Sequence, residues 1–353
     1  MRIPSSSSIL ISGINPVSLA FASILSTCGV KVLVVDEWKP VAFGIAEITL
    51  DNYSFELLQH IGFELETNMK PKINAADFVK QSLKVLATNL CSVIWDTQVS
   101  SKPKASSQIY RLKHENEIFE HQSQYFYTTH DLLSNQTQSI LNFRNIFALA
   151  WRLIGVLNNN LDQKILESYP KEVDLLKEQF DIFNSSKKQF HKVIQQLFSS
   201  KKRELNLVDS KISLHLSQHR NIEAGDLLPD LNFYDEQLQT ESSLYKWCNY
   251  RHFSVFMFGY LTPSHLFTIA KWLQLNYAVQ LFYLPPSERN QPVFDTFQIL
   301  TGERKTLIIR PDRYIGLISD SIDIDIIDNY LKSIIMMKAK DPLQPKESKG
   351  LDN

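Results

Sequence analysis

The stretch that most limits what this chain can fold into lies near its start, ILISGINPVSLAFASILSTCGVKVLVVDEW, residues 9–38. Residues 9–12 are short and apolar, as a parallel strand buried on both faces should be. Asn15 followed by Pro16 predicts a helix start, with a side chain able to cap free N–H groups and a proline at the first helical position. Leu19, Phe21, Ala22, Ile24 and Leu25 supply the buried side of that helix, and Gly29 ends it. Residues 32–35 form the second strand, which closes on Asp36 and Glu37. Strand, tight turn, helix, strand and terminal acid, in that order, describe the first βαβ unit of a dinucleotide-binding sheet.

The phosphate-turn pattern G-x-G-x-x-G reads Gly13-Ile14-Asn15-Pro16-Val17-Ser18 here, so only the first glycine is present. Asn15 puts a side chain where the second glycine would let a pyrophosphate approach the backbone. Two readings follow. Either Asn15 contacts a cofactor, or it caps its own helix and takes the donors a phosphate would use. Ser18 is a milder change, small enough for close helix–strand packing. Asp36 stands at the distance from Gly13 expected of a ribose-binding acid, with Glu37 beside it; a strand-end carboxylate facing solvent is the alternative.

Composition sets the outer bounds. The 353 residues suffice for two domains and a sizeable core, and 44% hydrophobic with 21% charged residues is the profile of a folded soluble chain. A net charge of −1 predicts no general attraction to nucleic acid or anionic membrane. Cys28, Cys91 and Cys248 are far apart and lack C-x-x-C spacing, which argues against a disulfide scaffold, a zinc site or a dithiol redox pair. His215 and His219 are spaced for one face of a helix, but no third ligand accompanies them, so no metal is expected. The opening MRIPSSSS makes a poor signal peptide, and no stretch approaches the roughly 20 apolar residues of a membrane-spanning helix. A cytoplasmic protein is expected.

Five further segments carry a resemblance. ITLDNYSFELLQHIGFELE (residues 48–66) is similar to a helix reading "TLELLRxLGL", NIFALAWRLIGVL (145–157) to "DAxNLAWKLAxVL", and ILESYPKEVDLL (165–176) to "LLxSYxxERxPV". AGDLLPDLNF (224–233) and LIIRPDRYIGLI (307–318) look like two edges of a C-terminal thioredoxin-like domain. In this order they resemble the FAD-dependent aromatic-ring monooxygenases of the para-hydroxybenzoate and phenol hydroxylase type. The resemblance implies an α/β fold: a Rossmann-like FAD domain lacking most of its substrate-binding sheet, then a thioredoxin-like domain. Expected boundaries are 1–205, with 100–124 as the remnant of the substrate region, then 206–337, then a disordered tail over 338–353. Only about twenty-five residues occupy 100–124, too few for more than a small hairpin.

The resemblance also implies FAD, and with it four contact groups. Gly13 and Asn15 belong to the phosphate turn, and Asp36 with Glu37 to the ribose. An arginine in "RAxxL" is replaced by Ile45 and Ala46. The "GDAAH" motif is matched by FYTTHDLLSN (126–135), where His130 fits the histidine, Tyr127 stands at the aspartate and Asp131 lies on the other side of His130. The glycine-rich "GQGMN" reads QTQSILN over 136–142. These departures favour a member without hydroxylase activity that serves in binding, regulation or assembly, as a homodimer or with a partner protein. An FAD-dependent NAD(P)H oxidoreductase acting on a small aromatic compound is the alternative.

Overall fold

A computed structural model describes residues 3–38, 47–65, 72–101, 108–133, 139–189, 205–236 and 238–340. By its internal contacts the chain divides into Met1–Leu157 with Leu176–Glu178, and Asn158–Leu175 with Gln179–Asn353. The helical segment after Leu157, expected to extend the first domain, thus falls largely with the second.

The first unit opens as its sequence predicts. Strand β1 (Ser6–Ser12) leads into helix α1 (Pro16–Thr27) and strand β2 (Val32–Val35). Strand β1 begins three residues earlier than its apolar run because the polar start is satisfied: Ser7 Oγ lies 2.8 Å from His121 Nε2. After β2 come β3 (Glu47–Thr49), α2 (Asn52–His60), β4 (Lys72–Asn74) and α3 (Ala75–Ala87). Asp51 caps α2 through Ser54 N–H at 2.9 Å and also receives Arg144 Nε at 2.6 Å.

Residues 91–101 form two strands, β5 (Cys91–Ile94) and β6 (Thr97–Ser101). Asp96, at φ 51°, breaks the run. Then β7 (Ile109–His114) and β8 (Glu117–Thr128) form the expected hairpin, with Glu115 at φ 52° in its turn. The six strands lie in the order β5-β2-β1-β8-β7-β6. Strands β5, β2, β1 and β8 are parallel, and β7 and β6 close the sheet antiparallel. This is a mixed α/β sheet whose parallel part is Rossmann-like. Strand β8 serves two neighbours: Glu117–Gln122 pair with β7, and Gln122–Thr128 pair with β1. The segment read as a remnant hairpin is therefore an integral strand of the main sheet.

After β8 come α4 (Thr129–Leu132) and α5 (Ser139–Leu157). Ile140–Leu157 is, by length and hydropathy, long and apolar enough to cross a membrane, contrary to the sequence expectation, but 83% of it is buried in the fold. Within it Arg152 is fully buried, stacked over Trp151 at 4.3 Å and donating to Ala148 O at 2.7 Å.

In the second unit, α6 (Ser168–Gln189) is followed by β9 (Leu214–Leu216) and the hairpin β10 (Asn232–Asp235) and β11 (Thr240–Ser243). Next come β12 (Phe253–Gly259), α7 (Pro263–Asn276), β13 (Val279–Leu284), α8 (Gln291–Thr296), β14 (Arg304–Ile309), β15 (Ile315–Ser319) and α9 (Ile324–Asn329), which continues as a π-turn over Tyr330–Ile334. The five-stranded sheet runs β13-β12-β14-β15-β9. Strands β12 and β13 are parallel, β14 and β15 antiparallel to their preceding neighbours, and β9 parallel to β15. Phe253, Phe256 and Phe258 are core, whereas Tyr260 is 64% exposed.

The two segments expected at separate edges of this unit meet each other. Gly225 N–H donates to Ile315 O at 2.6 Å, Ile315 N–H to Asp226 O at 2.9 Å, and Leu228 N–H to Arg313 O at 3.0 Å. Gly225 is at φ +96°, and a Cβ there would lie 2.3 Å from Leu207 C and Val208 N, so glycine is required. A buried ion cluster ties the unit further. Arg310, fully buried, donates to Glu172 Oε1 and Oε2 at 2.7 and 2.9 Å and to Asp312, and Ser210 Oγ donates to Glu172 at 2.6 Å. Burial would lower the Arg310 pKa, but Asp312 and Glu172 together hold it above its ordinary value.

Candidate functional site

Ser12, Val35 and Thr128 stand side by side at the carboxyl ends of β1, β2 and β8. Open α/β sheets bind ligands outside that edge. A cleft of about 450 Å³ lies there, lined by Gly13, Asn15, Asp36, Glu37, Trp38, Gln98, Thr128 and Thr129 among others. Four of the five residues singled out from the sequence, Gly13, Asn15, Asp36 and Glu37, thus share one cleft. His130 does not: it is exposed on α4 and is not among the lining residues. Tyr127 pairs with Ile11 and packs edge-on against Phe21 of α1, ring centres 5.7 Å apart. Ile45, Ala46 and residues 134–138 lie outside the described residues; Asn142 is buried in α5.

The turn itself is filled from within. Gly13, at φ +99°, donates its N–H to Val35 O at 2.8 Å. The space opened by its missing side chain holds Thr129: a Cβ on Gly13 would sit 2.6 Å from Thr129 Cγ2 and 2.9 Å from Oγ1. Asn15 Oδ1 accepts from Ser18 N–H at 2.8 Å, and Asn15 N–H donates to Ser18 Oγ at 2.9 Å, a reciprocal capping box. Pro16 has no N–H to give. Val17 N–H is the donor of the first turn left to a ligand, where an open helix end offers several.

Asp36 is equally engaged. Its Oδ2 accepts Ile14 N–H at 2.6 Å and its Oδ1 accepts Trp38 N–H at 2.9 Å. The acid ties the turn to the strand end, with one acceptor site of each oxygen spent on a backbone N–H. Glu37 is exposed and accepts one hydrogen bond, from Gln98 Nε2 at 3.1 Å.

Across the cleft, the end of β8 repeats the device. Thr128 N–H and Oγ1 both donate to Asp131 Oδ2 at 2.7 Å, and Asp131 N–H returns to Thr128 Oγ1 at 3.2 Å. Asp131 therefore caps its own short helix. The sequence reading missed this pair, although T-x-x-D is a capping signature legible over four residues. It also missed Thr129, whose role depends on a glycine more than a hundred residues away.

His215 and His219 form no helical face, since His215 lies on β9 and His219 beyond it. Among the described residues no cluster of metal-binding side chains occurs. Burial pushes the thiols of Cys91 and Cys248 up to about 12, so neither is poised as a thiolate at neutral pH.

No family model matches the sequence, and no curated protein does. Solved structures do. Aklavinone-11 hydroxylase, captured as a ternary complex with FAD and aklavinone, superposes with a TM-score of 0.70 at 10% identity, over 95% of this chain and 100% of that one. The rebeccamycin biosynthetic enzyme RebC in substrate-free form gives 0.65 at 9% identity, over 95% and 100%. The flavin-dependent monooxygenase PieE, in complex with FAD and substrate, gives 0.61 at 10%, over 94% and 99%. The chain has the fold of the flavin-dependent aromatic hydroxylases. That hydroxylase fold takes in both units, because the matches cover nearly all of the chain. At this identity the likeness concerns backbone path, and the side chains at the cleft are this chain's own.

Proposed function

We propose that this protein is a non-catalytic member of the hydroxylase fold, acting as a binding, regulatory or assembly protein. The observation that carries the reading is the turn after β1, filled by its own side chains. FAD held there would need the N–H groups at the start of α1 and the space over Gly13 for its pyrophosphate, and the Asp36 carboxylate for its ribose. Asn15 and Ser18 take the first and Thr129 the second, and Ile14 and Trp38 already bond both oxygens of the third. The residues present do not fit the cofactor.

Two further features support the reading. In this reading the β7–β8 hairpin stands where a region enclosing an aromatic substrate would be, and its second strand pairs with β1 as well as with β7. The second unit is read as thioredoxin-like, from its strand order β13-β12-β14-β15 with α7 between β12 and β13 and α9 after β15. Cys248 has no second cysteine beside it in the sequence, so dithiol exchange is not its function. Phe267 and Leu275 are 66% and 63% exposed on α7; a homodimer or a complex with a partner protein is the working state proposed.

The test is spectroscopic. The purified protein should carry no visible flavin absorbance, and FAD added to high micromolar should show no fluorescence quenching. The second reading, an FAD-dependent oxidoreductase, is favoured by neighbours captured with FAD. Flavin-dependent NAD(P)H oxidation stimulated by a phenol would establish it and overturn the first.

A further inference from the structure

We propose that the outer edge of β13 joins two copies of this chain, as an antiparallel strand pair about a two-fold axis. The inference rests on the homodimer named above and gives it a surface; it does not depend on whether flavin binds.

Strand β13 ends the five-stranded sheet, with β12 along one side and, among the described residues, no strand along the other. Its neighbour β12 is buried at every position. A strand with one bare face alternates buried and exposed side chains. Strand β13 is instead half-buried at Val279, Gln280, Leu281, Phe282 and Tyr283 in succession. Phe282 points to a face already filled, stacked on Trp247 with ring centres 5.1 Å apart and edge-on to Phe256 at 5.8 Å, and α7 packs along the strand. The exposure therefore runs along the edge, where alternate backbone N–H and C=O groups point away from β12.

Open edges are normally guarded by shortness, a bulge, a charge or a proline. The other outer strands of the two large sheets are guarded: β9 has three residues and β5 four, and β6 is bulged between Val99 and Ser101. Strand β13, with six, holds no charged residue and no proline, and Pro285 and Pro286 come only after its end. Its neutrality selects the occupant. Two-fold pairing brings a segment against itself, so any charge in it would meet its own copy, and VQLFYL has none. Outward-pointing residues pair with outward-pointing ones, which leaves two central registers. One sets Leu281 opposite its own copy, with Val279 opposite Tyr283 and Gln280 opposite Phe282. The other sets Phe282 opposite its own copy, with Gln280 opposite Leu284 and Leu281 opposite Tyr283. Either forms about six backbone hydrogen bonds and sets apolar and aromatic side chains across from one another.

The experiment follows the full chain by light scattering and sedimentation over about 1–100 μM, with amide hydrogen exchange read at both ends of that range. A dimer is expected at the upper end, with slowed exchange at alternate amides of β13. Leu281→Lys should weaken it at least about tenfold, because in both registers the two lysines lie opposite or diagonal to each other. Gln280→Pro and Leu281→Pro form a second pair of variants. Of two adjacent N–H groups one points outward, and proline there removes no bond to β12; that variant should keep the wild-type circular dichroism and be monomeric. A monomer at every concentration overturns the inference and the homodimer with it. A dimer that Leu281→Lys and the folded proline variant leave unweakened, or one without protection of β13 amides, places the interface elsewhere; it overturns the inference and leaves the homodimer standing.

Discussion

Replacing Glu172 with alanine tests the buried ion cluster of the second unit. The substitution deletes the acceptor of two charge-assisted hydrogen bonds from Arg310, at 2.7 and 2.9 Å, and of one from Ser210, at 2.6 Å. The guanidinium stays fully buried, and Asp312 remains as its carboxylate partner. Removing one partner of a buried pair costs about 3–5 kcal/mol because the other charge is left in a poor solvent. With Asp312 still in place the lower end applies, about 3 kcal/mol. For a unit of this size each kcal/mol lowers Tm by about 2–4 °C, so the drop should be about 6–12 °C. The assay is thermal unfolding by circular dichroism near neutral pH, at low and high salt. A buried pair is poorly screened, so the difference between wild type and variant should survive added salt. Glu172→Gln, which keeps an acceptor for Ser210 and Arg310, should fall in between. A Tm for Glu172→Ala within about 2 °C of wild type would refute the reasoning and show that Asp312 alone satisfies Arg310.

Two other outcomes follow from the geometry. Gly13→Ala should cost about 1–3 kcal/mol from its positive φ alone, with the Thr129 clash added. In a Thr129→Ala background that clash is relieved, so a double-mutant cycle should show coupling of at least about 0.5 kcal/mol, and strictly additive losses would contradict the filled turn. Asp320 gives a pH signature. Desolvation by itself would raise its pKa, but hydrogen bonds from Lys305, Gln218 N–H and Ser217, with the Lys305 charge, hold it below the ordinary carboxylate range. A carboxyl depressed in the folded state contributes fully above its unfolded value of about 3.9 and loses that contribution as pH falls through the folded value. Acid scans should therefore show stability falling below about pH 4, with a shallower fall in Asp320→Asn; equal slopes would rule this contribution out.

What could be read from the sequence was what is decided locally. The βαβ start is legible because its turn, cap and strand ends are set within thirty or so residues, and propensity and periodicity act over that range. The reading of Asn15 as a self-cap needed only Ser18, three positions on. What escaped was set by distant partners. Ser6 and Ser7 look like a polar leader until β8 supplies His121 and Ser123 to bond Ser7. Thr129 looks like an ordinary helix-start residue until Gly13 is placed against it. The stretches holding Glu172 and Arg310 were each recognised, but nothing local says they meet across 138 positions. His215 and His219 misled because a three-residue strand is too short to display its alternation.

The double pairing of β8 has a consequence for how the chain comes to be folded. Ser7 and Ser123, 116 positions apart, must be brought together before β1 has both its neighbours. During synthesis, β1 can dock on β2 early while its other edge waits for more than a hundred residues to emerge. That is an open, strongly apolar strand edge carried through most of the first unit's translation, the kind of edge that recruits other chains. Closing so long a loop is slow in entropic terms, so the first unit's vulnerable period should end with the emergence of β8.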